Sequence, residues 1–419
     1  MEIKKIRRIY SWISKENRKK ILHLVYGIKS ERNSSVEKLL MFCFKTLRVV
    51  KALSNLNGVY AFLCIYFAKK HAPNDVRREV LLIVGKDYLI EGLNYNGSTK
   101  DIQSLIEDLK LNHISFKLVL VSRKSLHAWI DLKTQLIDGD NRRHFSDVIV
   151  SIPGASGFFL PGLRILGFSN IHFRSHNAEV LHRIDWLRTE VGILGRLRIL
   201  KRVIFGAISD LLVAYLSTTI LMISKVEITK YWNKWFPLCK KKFVYFPYKP
   251  PSHLVKITHD RYPKERFVLI VGPYDSGTKI SEADKDFLRN GAKIRDYFNR
   301  EGFKLKSVGN GVYYDFCDLN FGFVEDIDLL VRSAVFVLIP TSRGWGFKTK
   351  ILDALFNNIG VIVSTNLAQR SAPYSEFYSV VTSWSAIESI QLNIPTEEAF
   401  AALRLELNSE RSVFFSKLN

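Results

Sequence analysis

At 419 residues the chain exceeds the size at which a single hydrophobic core keeps growing, so two domains of ordinary size are expected. Hydrophobic residues at 47% and charged residues at 24% exclude a disordered or fibrous chain. The formal charge of +22 asks for an anionic partner and is uneven: residues 1–80 hold eighteen Lys and Arg against six Asp and Glu, a net +12. Anionic lipid, nucleic acid or a polyanionic glycan would answer it.

The first segment, MEIKKIRRIYSWISKENRKKILHLVYGI, interleaves bases with Ile, Trp, Leu and Val at roughly helical spacing. It suits a helix lying on a membrane surface, or equally a basic, solvated helix packed on its own protein. No signal peptide is expected, because the charged start lacks a following apolar core and small-residue cleavage site. GVYAFLCIYFA (58–68) is too short to cross a bilayer, and AISDLLVAYLSTTILMIS (207–224) carries Asp210 and reads as a helix feeding a strand. No transmembrane helix is therefore expected. Cys43, Cys64, Cys239 and Cys317 show no C-x-x-C spacing, which fits a reducing compartment and small buried side chains better than disulfides or zinc.

From about residue 76 short apolar strands alternate with helical patterns. EVLLIVG (79–85) is a strand, the loop GLNYNGS leads into the helix DIQSLIEDLKL, and ISFKLVLVS (114–122) is the next strand. DVIVSIPG and NIHFRSHNAE supply further strand ends, KVEITKYW (225–232) looks helical, and the Pro-rich FPYKPPSH (246–253) reads as a linker. The rhythm then restarts with RFVLIVGPYDSG as strand and loop, DKDFLRNGAKIRDYFN as one helix and FKLKSVGNG as strand and turn. These patterns predict an α/β chain of two Rossmann-like domains facing a cleft, at 76–245 and 266–395. A basic helical extension (1–75), a linker (246–265) and a C-terminal helix (396–419) complete it.

The stretch VFVLIPTSRGWGFKTKILDALFNNIGVIVST (335–365) carries the chemistry. VFVLIP and GVIVST read as parallel strands, and a Gly-rich turn followed by a helix from about Thr349 to Asn358 lies between them. Gly344 and Gly346 permit close backbone approach, while Lys348 and Lys350 stand at the positive end of the helix dipole. Such a turn, with Trp345, Phe347 and Thr349 along it, is suited to phosphate and lies at the carboxyl edge of a sheet.

In order, spacing and residue type, GFVEDIDLLVRSAVFVLIPTSRGWGFKTKILDALFNNIGVIVST resembles the donor-binding block of GT-B glycosyltransferases, particularly the retaining glycosyltransferase family 4. FRSHNAE (173–179) is similar to that family's amino-domain cleft loop, and LIVGPYDSGTK to the first strand and loop of its carboxyl domain. The resemblance spans about residues 79–390 and is strongest in the second half. It implies that Asp353 stands where the family has a Glu that accepts from the donor ribose, and that Lys348 and Lys350 neutralise the nucleotide diphosphate, with Lys279 a second phosphate contact. It implies that His176, flanked by Arg174 and Asn177, contacts the donor sugar, and that Gly97 and Ser98 form a small-residue loop near the diphosphate. Trp345 departs from the family, since a sugar-contacting Glu is expected there. Backbone amides from Gly346 to Lys348 would then orient the sugar, or activity is lost.

The resemblance implies transfer of a sugar from a nucleotide-sugar donor to a glycan or lipid-linked acceptor, with retention, in bacterial surface polysaccharide synthesis. It implies no cofactor and no metal, with Lys348 and His176 as catalytic groups and a cytoplasmic place at the inner membrane face. Two other readings stay open: a non-catalytic nucleotide- or glycan-binding relative, favoured by Trp345, and nucleic-acid binding, favoured by charge alone without a recognisable module.

Overall fold

The computed structural model describes residues 79–418 other than 87–96, 123–124, 137–144, 153–155, most of 177–191, 256–265, 273–281, 310–313, 341–346 and 372. The basic extension at 1–75 lies outside the described residues.

β1 (Glu79–Gly85) is buried at every position, because parallel strands are covered by helices on both faces and read as continuous apolar runs. It seeds a six-stranded sheet, in the order β2-β1-β3-β4-β5-β6, with β2 (Phe116–Val121), β3 (Phe145–Ser151), β4 (Asn170–Ser175), β5 (Thr219–Met222) and β6 (Phe243–Tyr245). All pairs are parallel. The second sheet repeats the plan around β7 (Phe267–Val271), in the order β12-β11-β10-β7-β8-β9. Its other strands are β8 (Lys304–Val308), β9 (Leu319–Asn320), β10 (Phe336–Ile339), β11 (Gly360–Ser364) and β12 (Tyr378–Val381), again all parallel. These are two Rossmann-like domains. In each, the chain leaves the first strand to one side and returns to its other side, which opens a crevice at the carboxyl ends of β1 and β3 and of β7 and β10.

The helices that concern the site are α1 (Gly97–Leu111), α2 (Ser125–Leu136), α3 (Leu160–Ile165) and α4 (Ile193–Leu216) in the first domain. In the second they are α5 (Glu282–Arg289), α6 (Gly291–Arg300), α7 (Ile327–Ser333), α8 (Thr349–Phe356) and α9 (Thr365–Arg370), followed by α10 (Glu397–Phe415). The single helix expected over DKDFLRNGAKIRDYFN is instead two, α5 and α6, broken at Asn290. Gly291 opens the second at a place where a Cβ would lie 2.2 Å from the Phe316 ring, so ring and backbone meet only because no side chain intervenes.

Helix α10 ties the domains together. Thr396 caps it by accepting from the Ala399 N–H, with Glu397 and Glu398 in the first turn to meet its dipole. Phe400, Leu403 and Leu407 join the core of the second domain, whereas Phe414 and Phe415 pack with Leu82, Leu221 and Phe246 in the first. Between these groups the buried Arg411 donates from Nε to Asp108 Oδ2 (2.6 Å), from Nη1 to the Pro247 carbonyl (2.7 Å) and from Nη2 to Ser104 Oγ (3.2 Å). Its guanidinium also stacks 4.2 Å above the Phe246 ring.

Candidate functional site

The helix after β10 starts as expected, with Lys348 in extended conformation at the cap position and its own side chain making no cap bond to α8. Helix α1 of the first domain reaches the same place. A Cβ at Gly97 would lie 2.1 Å from Thr349 Oγ1, so the two helix N-termini touch only because residue 97 is glycine. Two positive dipole ends therefore converge at the carboxyl edge of the second sheet.

Five charged side chains gather at this junction. Lys100, in the first turn of α1, donates to Asp328 Oδ1 of α7 (2.5 Å) and to Asp353 Oδ2 of α8 (3.2 Å). The other oxygen of Asp353 accepts from Tyr248 Oη at 2.5 Å. Burial, reinforced by the Asp328 charge, raises the Asp353 carboxyl above the usual range, against the pull of Lys100. Lys350 donates to the Gly272 carbonyl just beyond β7 (3.3 Å). Burial first, then the like charges of Lys348 and Lys100, lower its ammonium to about 8 despite Asp353. Among the described residues, three lysines and two carboxylates thus meet where two helix N-termini converge.

The first domain presents its own polar edge. Arg174 near the end of β4 grips Asp101 of α1 with two bonds, Nε to Oδ2 (2.8 Å) and Nη2 to Oδ1 (2.6 Å), and donates from Nη1 to the Phe246 carbonyl (2.5 Å). One step beyond the strand, His176 Nε2 lies 3.0 Å from Ser151 Oγ at the end of β3, and Nδ1 lies 3.6 Å from Asp101 Oδ2. Burial lowers the imidazole to about 4, outweighing Asp101, with Arg174 adding to the decrease. The ring is therefore neutral near pH 7. Because the folded value lies below the ordinary 6.5, protons favour the unfolded chain as pH falls from 6.5 towards 4. About 3 kcal/mol should be lost across that window and be absent from His176→Gln, as read by urea unfolding at successive pH values. Parallel profiles for parent and variant would remove His176 as the cause.

Of the expected residues, Gly97, Lys348, Thr349, Lys350 and Asp353 come together, with Ser98 following Gly97 in the first turn of α1. Two further expected residues lie inside the protein. Arg174 is fully buried and its guanidinium bonds Asp101 and the Phe246 carbonyl, so it braces α1 against β4. Phe347 is buried against Tyr374, ring centroids 5.7 Å apart, and belongs to the core. Asp353 is in place, but its two oxygens are held by Tyr248 and Lys100, so a ribose would have to displace one of them. Asn177, Lys279, Gly344, Trp345 and Gly346 lie outside the described residues. Sequence reasoning missed Lys100, Asp328 and Tyr248. The signal for Lys100 was present: a cation in the first turn of a helix opposes the dipole, and a residue placed there against its own helix has a partner elsewhere.

No known family profile matches the chain, and no curated protein matches it. Among solved structures it is similar to Anabaena Alr3699/HepE in complex with UDP and glucose, at 12% identity and a TM-score of 0.48 over 82% of this chain and 99% of that one. It is also similar to an alpha,alpha-trehalose-phosphate synthase (UDP-forming) from Burkholderia vietnamiensis, at 10% identity and a TM-score of 0.48 over 82% and 99%. A structure from E. coli described as trehalose-6-phosphate bound with UDP-2-fluoro glucose gives 12% identity and a TM-score of 0.48 over 81% and 98%. The two-domain architecture stands on the strand order itself.

Proposed function

We propose that this chain is a GT-B glycosyltransferase, of the retaining family 4 type, which moves a sugar from a nucleotide-sugar donor to a glycan or lipid-linked acceptor. The observation that carries the proposal is the meeting of the N-termini of α1 and α8 beside Lys348 and Lys350, with Lys350 held below its usual pKa by burial and by like charge. A diphosphate bound there would meet both helix N-termini and both lysines. As the bond to the sugar breaks, charge builds on the leaving nucleoside diphosphate, and cations and N–H groups already in position lower that barrier without reorganising. Lys348 and Lys350 take this role on the phosphate side. Neutral His176, across the cleft, offers a hydrogen bond to the sugar without adding charge. Asp353 would exchange its bond with Tyr248 for a ribose hydroxyl. In this proposal lysines do the work of a divalent ion, and the setting is bacterial surface polysaccharide synthesis on the cytoplasmic side of the membrane.

A second reading, nucleotide binding without transfer, is favoured by the engaged oxygens of Asp353 and by Trp345 in place of a Glu. A thermal-shift panel of nucleoside diphosphates and nucleotide sugars, followed by product analysis with and without EDTA, separates the two. Stabilisation of about 2.7 kcal/mol at 100 times Kd, with sugar release or transfer that survives EDTA, is the expected result. Stabilisation with no turnover of any donor supports the second reading, and no stabilisation by any nucleotide refutes both.

A further inference from the structure

The longest helix of the first domain, α4, is apolar on the side that faces away from its own core. Leu197, Leu200, Ile204, Ile208, Leu211 and Tyr215 recur at steps of three and four, and each is between 41% and 56% exposed. That spacing sets them in one stripe about 27 Å long, at 1.5 Å per residue. The opposite face holds Ile199, Ser209, Val213 and Ala214, all buried. Asp210 is the helix's one acidic residue, and it is turned inward to accept from Tyr231 Oη at 2.6 Å. The exposed charges of the helix are all basic, Arg196, Arg198, Lys201 and Arg202, and Arg196 and Lys201 border the stripe.

A second exposed apolar pair lies in the turn beyond the helix. The turn Pro237–Lys242 packs against α4, and Lys242 closes the C-terminus of the helix by donating to the carbonyls of Ala214 (3.2 Å) and Tyr215 (3.0 Å). Beside it, Leu238 is 86% exposed and Trp235 65% exposed, with Lys240 and Lys241 next in sequence. Apolar surface of this extent on a water-facing helix marks a contact.

We propose that α4 and the 235–242 turn dock on an anionic lipid bilayer, the stripe entering the headgroup boundary and the flanking bases meeting lipid phosphates. Charge selects this occupant. Residues 1–80 carry a net +12, and a second copy would present the same basic flank, so either would set like charges together. Anionic lipid complements stripe and flank at once. No described helix is long and apolar enough to cross a membrane. The docking does not depend on the transfer reading. If that reading holds, the contact also has a direction, because α4 touches the turn that leaves β3. Ser209 Oγ accepts from the Gly157 N–H (3.0 Å), and the Phe158 and Phe205 rings lie 6.1 Å apart. A lipid-linked acceptor would then arrive near the edge where Ser151 and His176 meet.

Co-sedimentation of the full chain with equimolar phosphatidylcholine–phosphatidylglycerol vesicles, set against phosphatidylcholine alone, tests the assignment. The triple variants Leu200→Glu, Ile204→Glu, Ile208→Glu and Lys201→Glu, Lys240→Glu, Lys241→Glu should each lower partitioning roughly tenfold or more. Tm and the nucleoside-diphosphate thermal shift should stay at parent values. Parent-level partitioning by both variants overturns the proposal. So does a drop in Tm with unchanged partitioning, which would mean that the chain's own residues cover the stripe. A change from dimer to monomer in light scattering with unchanged partitioning overturns it in favour of a second copy. If the apolar variant fails to fold, the charge-reversed one, altered only at exposed positions, decides alone.

Discussion

Lys100→Met is expected to cost about 3–5 kcal/mol of stability at pH 7, far more than an ordinary lysine, because it leaves two carboxylates buried without their cation. The Lys100 side chain is 3% exposed and bridges Asp328 and Asp353, themselves 11% and 9% exposed. Burial alone would lower the ammonium, but the fields of Asp353 and Asp328 overcome it and hold the pKa above its usual value. Without that cation the Asp353 carboxyl, already raised by burial and by Asp328, would keep its proton still more strongly. A carboxyl whose folded pKa is raised stabilises the fold in acid and loses that contribution as pH rises. The deficit of the variant should therefore be smaller at pH 5 than at pH 7. Urea unfolding at both values checks it, and adding Asp328→Asn should recover part of the loss, since it removes the unpaired neighbour. A variant within 1 kcal/mol of the parent, with no pH dependence to the deficit, would mean that Lys100 is not what holds α1 to α7 and α8.

What the sequence made legible is what depends on near neighbours in the chain. β1, β7 and β10 are apolar at almost every position, and β3 and β11 through their centres, because they are covered on both faces, so their runs stand out. Helix α8 announces itself by its glycines, its lysines and the strands on either side. Hidden features are those that distant residues create. Strands β6, β9 and β12 have two to four residues and exist only because a longer strand lies alongside. Lys100 finds Asp353 253 residues away, and Arg411 finds Asp108 303 residues away, distances over which no spacing rule operates. Depth is hidden too. Alternation along β4 sets His172, Arg174 and His176 on one face, but nothing local says that Arg174 stops inside under α1 while His176 clears the strand end. The same blindness affects α4, whose apolar residues lie on two faces, and only the packed structure shows which face meets the sheet.

Lys350→Met is expected to weaken nucleoside diphosphate binding by roughly 10- to 150-fold, the loss of a charge-assisted contact of about 1.5–3 kcal/mol. Its pH dependence separates this role from a merely structural one. In the unliganded protein Lys350 titrates at about 8, well below the ordinary 10.5, because it is buried and near Lys348 and Lys100. A lysine lowered in this way is costly to the fold while charged, so stability should rise with pH between 8 and 10.5, where the folded chain has released a proton that the unfolded chain retains. A diphosphate reverses the balance by restoring the opposite charge and drawing the proton back. Affinity in the parent should accordingly fall above pH 8 by about tenfold per pH unit until the pKa of the bound form is reached. The phosphate itself, with a second pKa near 6, has finished titrating by then and adds no slope. Lys350→Met should bind weakly and with a flat profile, while Lys348→Met should move the break to higher pH by removing the like charge beside Lys350. Isothermal titration with a nucleoside diphosphate from pH 7 to 10 measures all three proteins. A parent curve without a break, or a Lys350→Met variant that retains one, would assign the titration to another group and take Lys350 out of the phosphate site.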